Sequence, residues 1–156
     1  MDSNMRDYHG VQFQRICQII PDHDNKGLII EHAPQPRYAK RDVVKLNRYG
    51  SGVFCNFRIS KKEKNRVGVY IICINDNPVY VGKCKDFEKR FNAGYGSIQP
   101  RNCYRKGQET NCRVNKLILG ACKKQSNVEI WFHETSDREK IERDLIAKIR
   151  PEWNLK

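Results

Sequence analysis

Val67-Gly68-Val69-Tyr70-Ile71-Ile72-Cys73-Ile74-Asn75-Asp76-Asn77-Pro78-Val79-Tyr80-Val81-Gly82-Lys83 is the stretch whose reading decides the fold. Two runs of β-branched and aromatic residues flank a polar Asn-Asp-Asn-Pro cluster, the composition of two antiparallel strands joined by a tight turn. With a loop of Asn75, Asp76 and Asn77, Ile72 faces Tyr80 and Tyr70 faces Gly82, so both phenols share one face of the hairpin. A slip of one residue would separate them. A lone strand tyrosine usually just packs. Here each tyrosine has a glycine two residues away, Gly68 or Gly82, small enough to let a substrate backbone approach.

Working outward toward the C-terminus, Asp86 can cap a short helix with Phe87 and Phe91 on one face, ended by Gly94 and Gly96. Asn111 can cap a second helix whose Val114, Leu117, Ile118 and Ala121 form a core-facing stripe, with Lys123 and Lys124 at its negative end. Asn127 to His133 reads as a third strand. Ser136 with Glu139 makes a capping box for a last helix, lined by Ile141, Leu145 and Ile149 and stopped by Pro151. The order strand, strand, helix, helix, strand, helix predicts a domain over 67–156 that mixes strands and helices. Toward the N-terminus, Lys61-Lys62-Glu63-Lys64-Asn65-Arg66 carries no apolar residue and reads as a solvated connector. Residues 1–66 are expected to form an N-terminal extension that contacts DNA or an oligomer partner. Its short apolar runs (Val11 to Ile20, Gly27 to Ile30, Val53 to Ile59) are broken by Pro21, Pro34, Pro36 and Gly50.

The length of 156 residues suits one compact domain with an extension, not two large domains. Thirty Lys and Arg against 18 Asp and Glu give a net charge of +12, which draws in a polyanion; with no basic amphipathic helix for a membrane surface, nucleic acid is the expected partner. The opening Met1-Asp2-Ser3-Asn4-Met5-Arg6 lacks the apolar run of a signal peptide, and no stretch approaches the roughly 20 apolar residues of a membrane span. A soluble, cytoplasmic protein is expected. The seven cysteines form no CxxC pair, so free thiols are expected in place of a disulfide framework or a zinc knuckle.

Cutting a phosphodiester needs an activated water, positive charge on the developing oxyanions, and usually a divalent cation held by carboxylate. Lys83 follows the second strand directly and Arg90 lies on the helix it feeds, a point charge and a multidentate guanidinium suited to phosphate. On the last helix Glu142 has Leu145 and Ile146 one turn on; it is the candidate ligand for Mg²⁺, with Mn²⁺ an alternative, and Glu139 and Asp144 are its rivals. Asn154 offers an amide that can hold a tyrosine hydroxyl or a backbone group.

Taken in order, Gly68-Val69-Tyr70, Tyr80-Val81-Gly82-Lys83, Arg90 and then Glu142 before a Pro-x-Trp-Asn ending at Asn154 resemble the GIY-YIG nuclease superfamily. The resemblance spans Val67 to Asn154 and implies a compact α/β (α+β) domain with a small three-stranded antiparallel sheet flanked by helices. It implies a metal-dependent endonuclease in which Tyr70 or Tyr80 deprotonates or positions the attacking water, Arg90 and Lys83 stabilise the phosphate, Glu142 binds one metal and Asn154 braces the site. Many relatives carry His or Tyr four residues after the arginine; this chain has Gly94, with Tyr95 next to it. Arg101, Tyr104, Arg105, Lys106 and Arg113 interleave cations with an aromatic ring, which suits contact with DNA phosphates and bases or, equally, a loop made soluble by charge. The extension's Arg37, Lys40, Arg41, Lys45 and Arg48 present the same choice. By analogy the chain most resembles restriction enzymes and small phage endonucleases, for which double-strand cleavage favours a homodimer or larger assembly. The alternative is a non-catalytic nucleic-acid-binding protein that keeps the fold.

Overall fold

The computed structural model describes residues 3–155; Met1 and Asp2, which begin the opening stretch read above for a leader, lie outside them. The elements are β1 (Met5–Tyr8), β2 (Val11–Gln18), β3 (Gly68–Ile74), β4 (Asn77–Cys84), α1 (Phe87–Lys89), a π-helical segment (Arg90–Tyr95), α2 (Glu109–Lys123), β5 (Val128–Glu134) and α3 (Arg138–Ile149). The chain divides into two compact units. One comprises Met1–Ile19, Ile59–Glu88 and Gln125–Lys156, the other Ile20–Arg58 and Lys89–Lys124. The segment before residue 67 is thus shared between both.

The first unit is built on a five-stranded antiparallel sheet of order β1-β2-β5-β3-β4. Three of its strands are the expected ones; β1 and β2 extend the sheet beyond β5. In the β3–β4 hairpin Tyr70 pairs with Gly82 and Ile72 with Tyr80, the register read from the sequence. The route to it differs. Ile74 pairs with Asn77, leaving the two-residue turn Asn75-Asp76 with φ of 49° and 68°, as a type I′ hairpin requires. A bulge between the Cys73–Pro78 and Ile72–Tyr80 pairs then absorbs Val79 and restores the parity that a three-residue loop would have given.

Strand alternation sends Val69, Ile71, Cys73 and Val81 to one face, where they pack with Phe13, Trp131 and Leu145, flanked by Ile141, Ile146 and Ile149 of α3. Tyr70, Ile72, Tyr80 and Phe132 take the other face, with Phe87 stacked on Phe132 at 4.3 Å between ring centroids. The buried Glu129 carboxylate is paired with Arg15 of β2, which is how an acidic residue sits in a central strand. Helix α3 begins later than the capping box predicts: Asp137 takes the N-cap position without a side-chain cap, and its N–H donates to Thr135 Oγ1 at 3.0 Å. Arg150 ends the helix in the left-handed conformation, φ 52°, and Pro151 follows.

Within the Lys61–Arg66 stretch the three lysines are exposed, as a solvated connector requires, while Glu63 and Arg66 are tied down. Ser60 caps a short 3₁₀ turn, and the Arg66 guanidinium pairs with Glu63 at 2.7 Å and Glu134 at 3.0 Å while lying over the Phe132 ring at 4.6 Å.

In the second unit, α2 is organised around polar as well as apolar side chains. Val114 and Ile118 are buried as expected, but Leu119, Cys112 and Asn115 join them where Leu117 and Ala121 were predicted. Asn115 is fully satisfied: its Nδ2 donates to the carbonyls of Cys55 (2.8 Å) and Tyr95 (2.7 Å), and its Oδ1 accepts from Cys55 N–H (3.1 Å). Asn111 lies inside the helix and is buried, so the N-cap falls at Gln108. A small core of Phe54, Ile98, Cys103, Tyr104 and Cys112, with Tyr38, Val44 and Tyr49 against it, completes this unit. All seven cysteines are free thiols. Among the described residues no helix is long and apolar enough to cross a membrane.

Candidate active site

Of the residues singled out for chemistry, Tyr70, Tyr80, Lys83, Glu142 and Asn154 belong to the first unit, and all five gather on or against β4, the sheet's edge strand. Tyr70 is held on β3 with its ring lying across Gly82: a Cβ at that glycine would stand 2.4 Å from Tyr70 Cζ and 2.4 Å from its hydroxyl oxygen. The space at Gly82 therefore belongs to Tyr70 and not to an approaching substrate backbone. At Gly68 the corresponding space is taken by the His133 carbonyl oxygen, which lies 2.1 Å from where a Cβ would stand. Tyr70 is only 1% exposed, between Tyr80 (6.3 Å) and Phe87 (6.1 Å) ring centroids, whereas Tyr80 is 9% exposed.

Lys83 follows Gly82 on the same strand and reaches α3, where its Nζ lies 3.9 Å from Glu142 Oε1 and 4.0 Å from Glu139 Oε1. The two glutamates are three residues apart and so project from neighbouring positions on the helix. Their environments differ: the Glu142 side chain is 21% exposed and that of Glu139 71%. Asp144 is committed elsewhere. It accepts from Lys140 Nζ at 2.9 Å, one turn back, and that ammonium holds its carboxyl below the usual range.

Asn154 takes the place of a missing strand. Its Oδ1 accepts from Val81 N–H at 2.9 Å and its Nδ2 donates to Val81 C=O at 2.9 Å, satisfying both backbone groups on the open edge of β4. Beside it Trp153 N–H donates to the carbonyl of the bulged Val79 at 2.8 Å. The amide thus holds backbone, the second of the two roles its chemistry allowed, and fixes the strand between Tyr80 and Gly82.

Arg90 belongs to the second unit, where it opens the π-helical segment. Four residues on, a Cβ at Gly94 would meet the buried Asn111 amide at 3.6 Å, and Tyr95 is buried edge-on against Phe91 with ring centroids 5.3 Å apart. Of the candidate DNA-binding residues, Arg101, Arg105 and Lys106 are exposed. Tyr104 and Arg113 are buried, and the Tyr104 hydroxyl donates to the Gln35 carbonyl at 2.9 Å.

The sequence profile of the GIY-YIG catalytic domain matches residues 66–156, more than half of the chain. The chain belongs to the GIY-YIG family. A search of solved structures finds a mutant of bacteriophage T4 EndoII, 26% identical, with a TM-score of 0.50, covering 72% of this chain and 87% of that one. No curated protein sequence matches. Membership of this nuclease family implies a DNA substrate, and GIY-YIG nucleases generally use divalent metal ions. The donor set here fits such an ion. Among the described residues no three His, Cys, Asp or Glu side chains cluster to enclose a metal, but Glu142 with Glu139 offers the hard oxygen donors that Mg²⁺ accepts when water and substrate phosphate supply the rest.

Proposed function

We propose that this GIY-YIG chain is a divalent-metal-dependent endonuclease that hydrolyses phosphodiester bonds of double-stranded DNA. The observation that carries this reading is the convergence of Lys83 with Glu142 and Glu139 beside an edge strand that also presents Tyr80 and supports the ring of Tyr70. Carboxylates beside a phosphate oppose binding of a polyanion, so a protein that only gripped DNA would gain nothing from them.

In this mechanism Glu142, the more enclosed of the two glutamates, holds the metal, with Mg²⁺ or Mn²⁺ suited to its oxygen ligand. When bound, the ion supplies Lewis-acid charge to the phosphate oxygens. Tyr80, the more accessible phenol, and Tyr70 behind it position the attacking water or take its proton. Lys83 places positive charge where the phosphorane oxygens become more negative, and Arg90, on the second unit, carries a guanidinium of the kind that grips phosphate. Asn154 keeps Val81, and with it the strand between Tyr80 and Lys83, from shifting as charge builds up.

The likeness to bacteriophage T4 EndoII supports a phage-type enzyme, with a restriction enzyme as the neighbouring role; action in the cytoplasm is part of the proposal. One site with one metal cuts one strand, so a homodimer or larger assembly is part of the proposal. The test is cleavage of supercoiled plasmid with Mg²⁺, with and without chelator. Nicked or linear product that chelator abolishes is expected. Binding without cleavage across DNA and RNA, with Mg²⁺ or Mn²⁺, would leave a non-catalytic binding protein.

A further inference from the structure

The second unit contains a cavity of about 510 Å³, within the range of small-ligand sites, ringed by Lys40, Lys45, Arg101, Arg105 and Lys106. No acidic residue lines it, and among the described residues none of these five cations forms an ion pair. Elsewhere some exposed arginines are neutralised, Arg48 by Glu109 and Arg58 by Asp22. Five unneutralised cations around one hollow repel each other, a cost that an anion removes.

The hollow is also built, not a chance crease. Arg105 N–H donates to Lys45 C=O at 2.9 Å beside the Leu46–Tyr104 bridge, which pins two of the cation-bearing segments together. Lys106 adopts φ 69° in a turn closed by Gly107 N–H to Tyr104 C=O at 3.0 Å, a conformation costly for a side-chain-bearing residue. The remaining wall is apolar: Tyr38, its ring tilted against the buried Tyr104 at 4.6 Å between centroids, with Val44 and a Val43 that is 80% exposed. A free inorganic anion has no use for such a wall. A nucleotide does, since its sugar and base are apolar-faced and its phosphates charged.

We propose that this cavity is a nucleotide subsite for the nucleic-acid strand: the cations hold the two phosphates flanking one nucleotide, whose sugar and base rest on Tyr38, Val43 and Val44. The site lies in the unit that does not carry Glu142, and it deepens the nuclease reading, on which it rests for the nature of the polymer.

The test is fluorescence anisotropy of a labelled DNA duplex against salt concentration, using the full chain in chelator so that no cleavage intervenes. Wild type is compared with the triple variant Lys40→Ala, Arg101→Ala, Arg105→Ala and with an equal-charge control in the first unit, Lys61→Ala, Lys62→Ala, Lys64→Ala. All six side chains are exposed, and matching thermal melts establish that both variants fold. For two phosphates released, the slope of log K against log salt should become shallower by about 1.8 in the cavity variant, and by less than half of that in the control. Val43→Ala should weaken binding severalfold with the slope unchanged. Equal slopes for the two triple variants, or no duplex binding by wild type, would overturn the subsite. Cleavage scored separately keeps the two proposals apart: a chain that cuts DNA but shows equal slopes loses only the subsite, and one that shows the predicted slopes but never cuts loses only the nuclease.

Discussion

Replacing Gly82 by alanine tests whether the tyrosine ring is positioned by the absence of a side chain on the neighbouring strand. The added Cβ would stand 2.4 Å from Tyr70 Cζ and 2.7 Å from its Cε2. Carbon atoms pack at about 3.5–4.0 Å, so the ring must retreat by about 1 Å. It cannot do so freely, being 1% exposed with Phe87 and Tyr80 beside it. Overpacking of this kind costs about 1–3 kcal/mol. For a chain of this size each kcal/mol lowers Tm by about 2–4 °C, so a fall of about 2–12 °C is expected. A phenol displaced by about 1 Å should also slow cleavage by about a hundredfold. Differential scanning fluorimetry and single-turnover plasmid cleavage read the two effects. Gly120→Ala is the internal control: it lies in α2 with nothing within 4 Å of the new Cβ, so it should raise Tm, the helix gaining up to about 1 kcal/mol. Wild-type melting and wild-type rate for Gly82→Ala would refute the reasoning.

Asn154→Ala removes both hydrogen bonds to Val81 and should destabilise the fold by about 1–3 kcal/mol, read by urea denaturation, with cleavage lowered further than the stability loss explains. Burial pushes the Cys55 thiol up to about 12. A thiol raised in the folded state favours folding fully below its unfolded value, near 8.5, and loses that contribution as pH climbs toward about 12; the urea midpoint should fall through this window, and less steeply for Cys55→Ala. At neutral pH Cys55 should resist iodoacetamide until the protein is unfolded, which mass spectrometry would show.

How far the sequence carried differs between elements for physical reasons. The shared face of Tyr70 and Tyr80 was legible because side-chain parity is rigid: the two-residue turn and the bulge at Val79 together preserve it. The strands β1 and β2 were not legible as part of this sheet, since their pairing with β5 joins residues more than a hundred positions apart and leaves no local signature. In α2 an apolar stripe anticipated Val114 and Ile118 but not Asn115, because a buried amide is tolerated only when three partners converge on it, and sequence does not reveal them. Within the candidate site, residue types pointed to Lys83, Glu142 and Asn154. That Lys83 would lie between two glutamates, that Asp144 would be taken by Lys140, and that Gly82 serves Tyr70 all depend on packing. Tyr38, Lys40, Val43, Val44 and Lys45 come from a segment remote in sequence from Arg101, Arg105 and Lys106, so only the fold assembles them into one cavity.

The central claim is that Glu142 holds the catalytic metal, and the most direct measurement is the single-turnover cleavage rate of Glu142→Gln beside Asp144→Asn, with duplex binding measured in parallel. Losing the metal's several kcal/mol of transition-state stabilisation predicts a fall of about a thousandfold for Glu142→Gln with binding retained, and a rate within about threefold of wild type for Asp144→Asn. Glu142→Gln cutting at the wild-type rate would contradict the account.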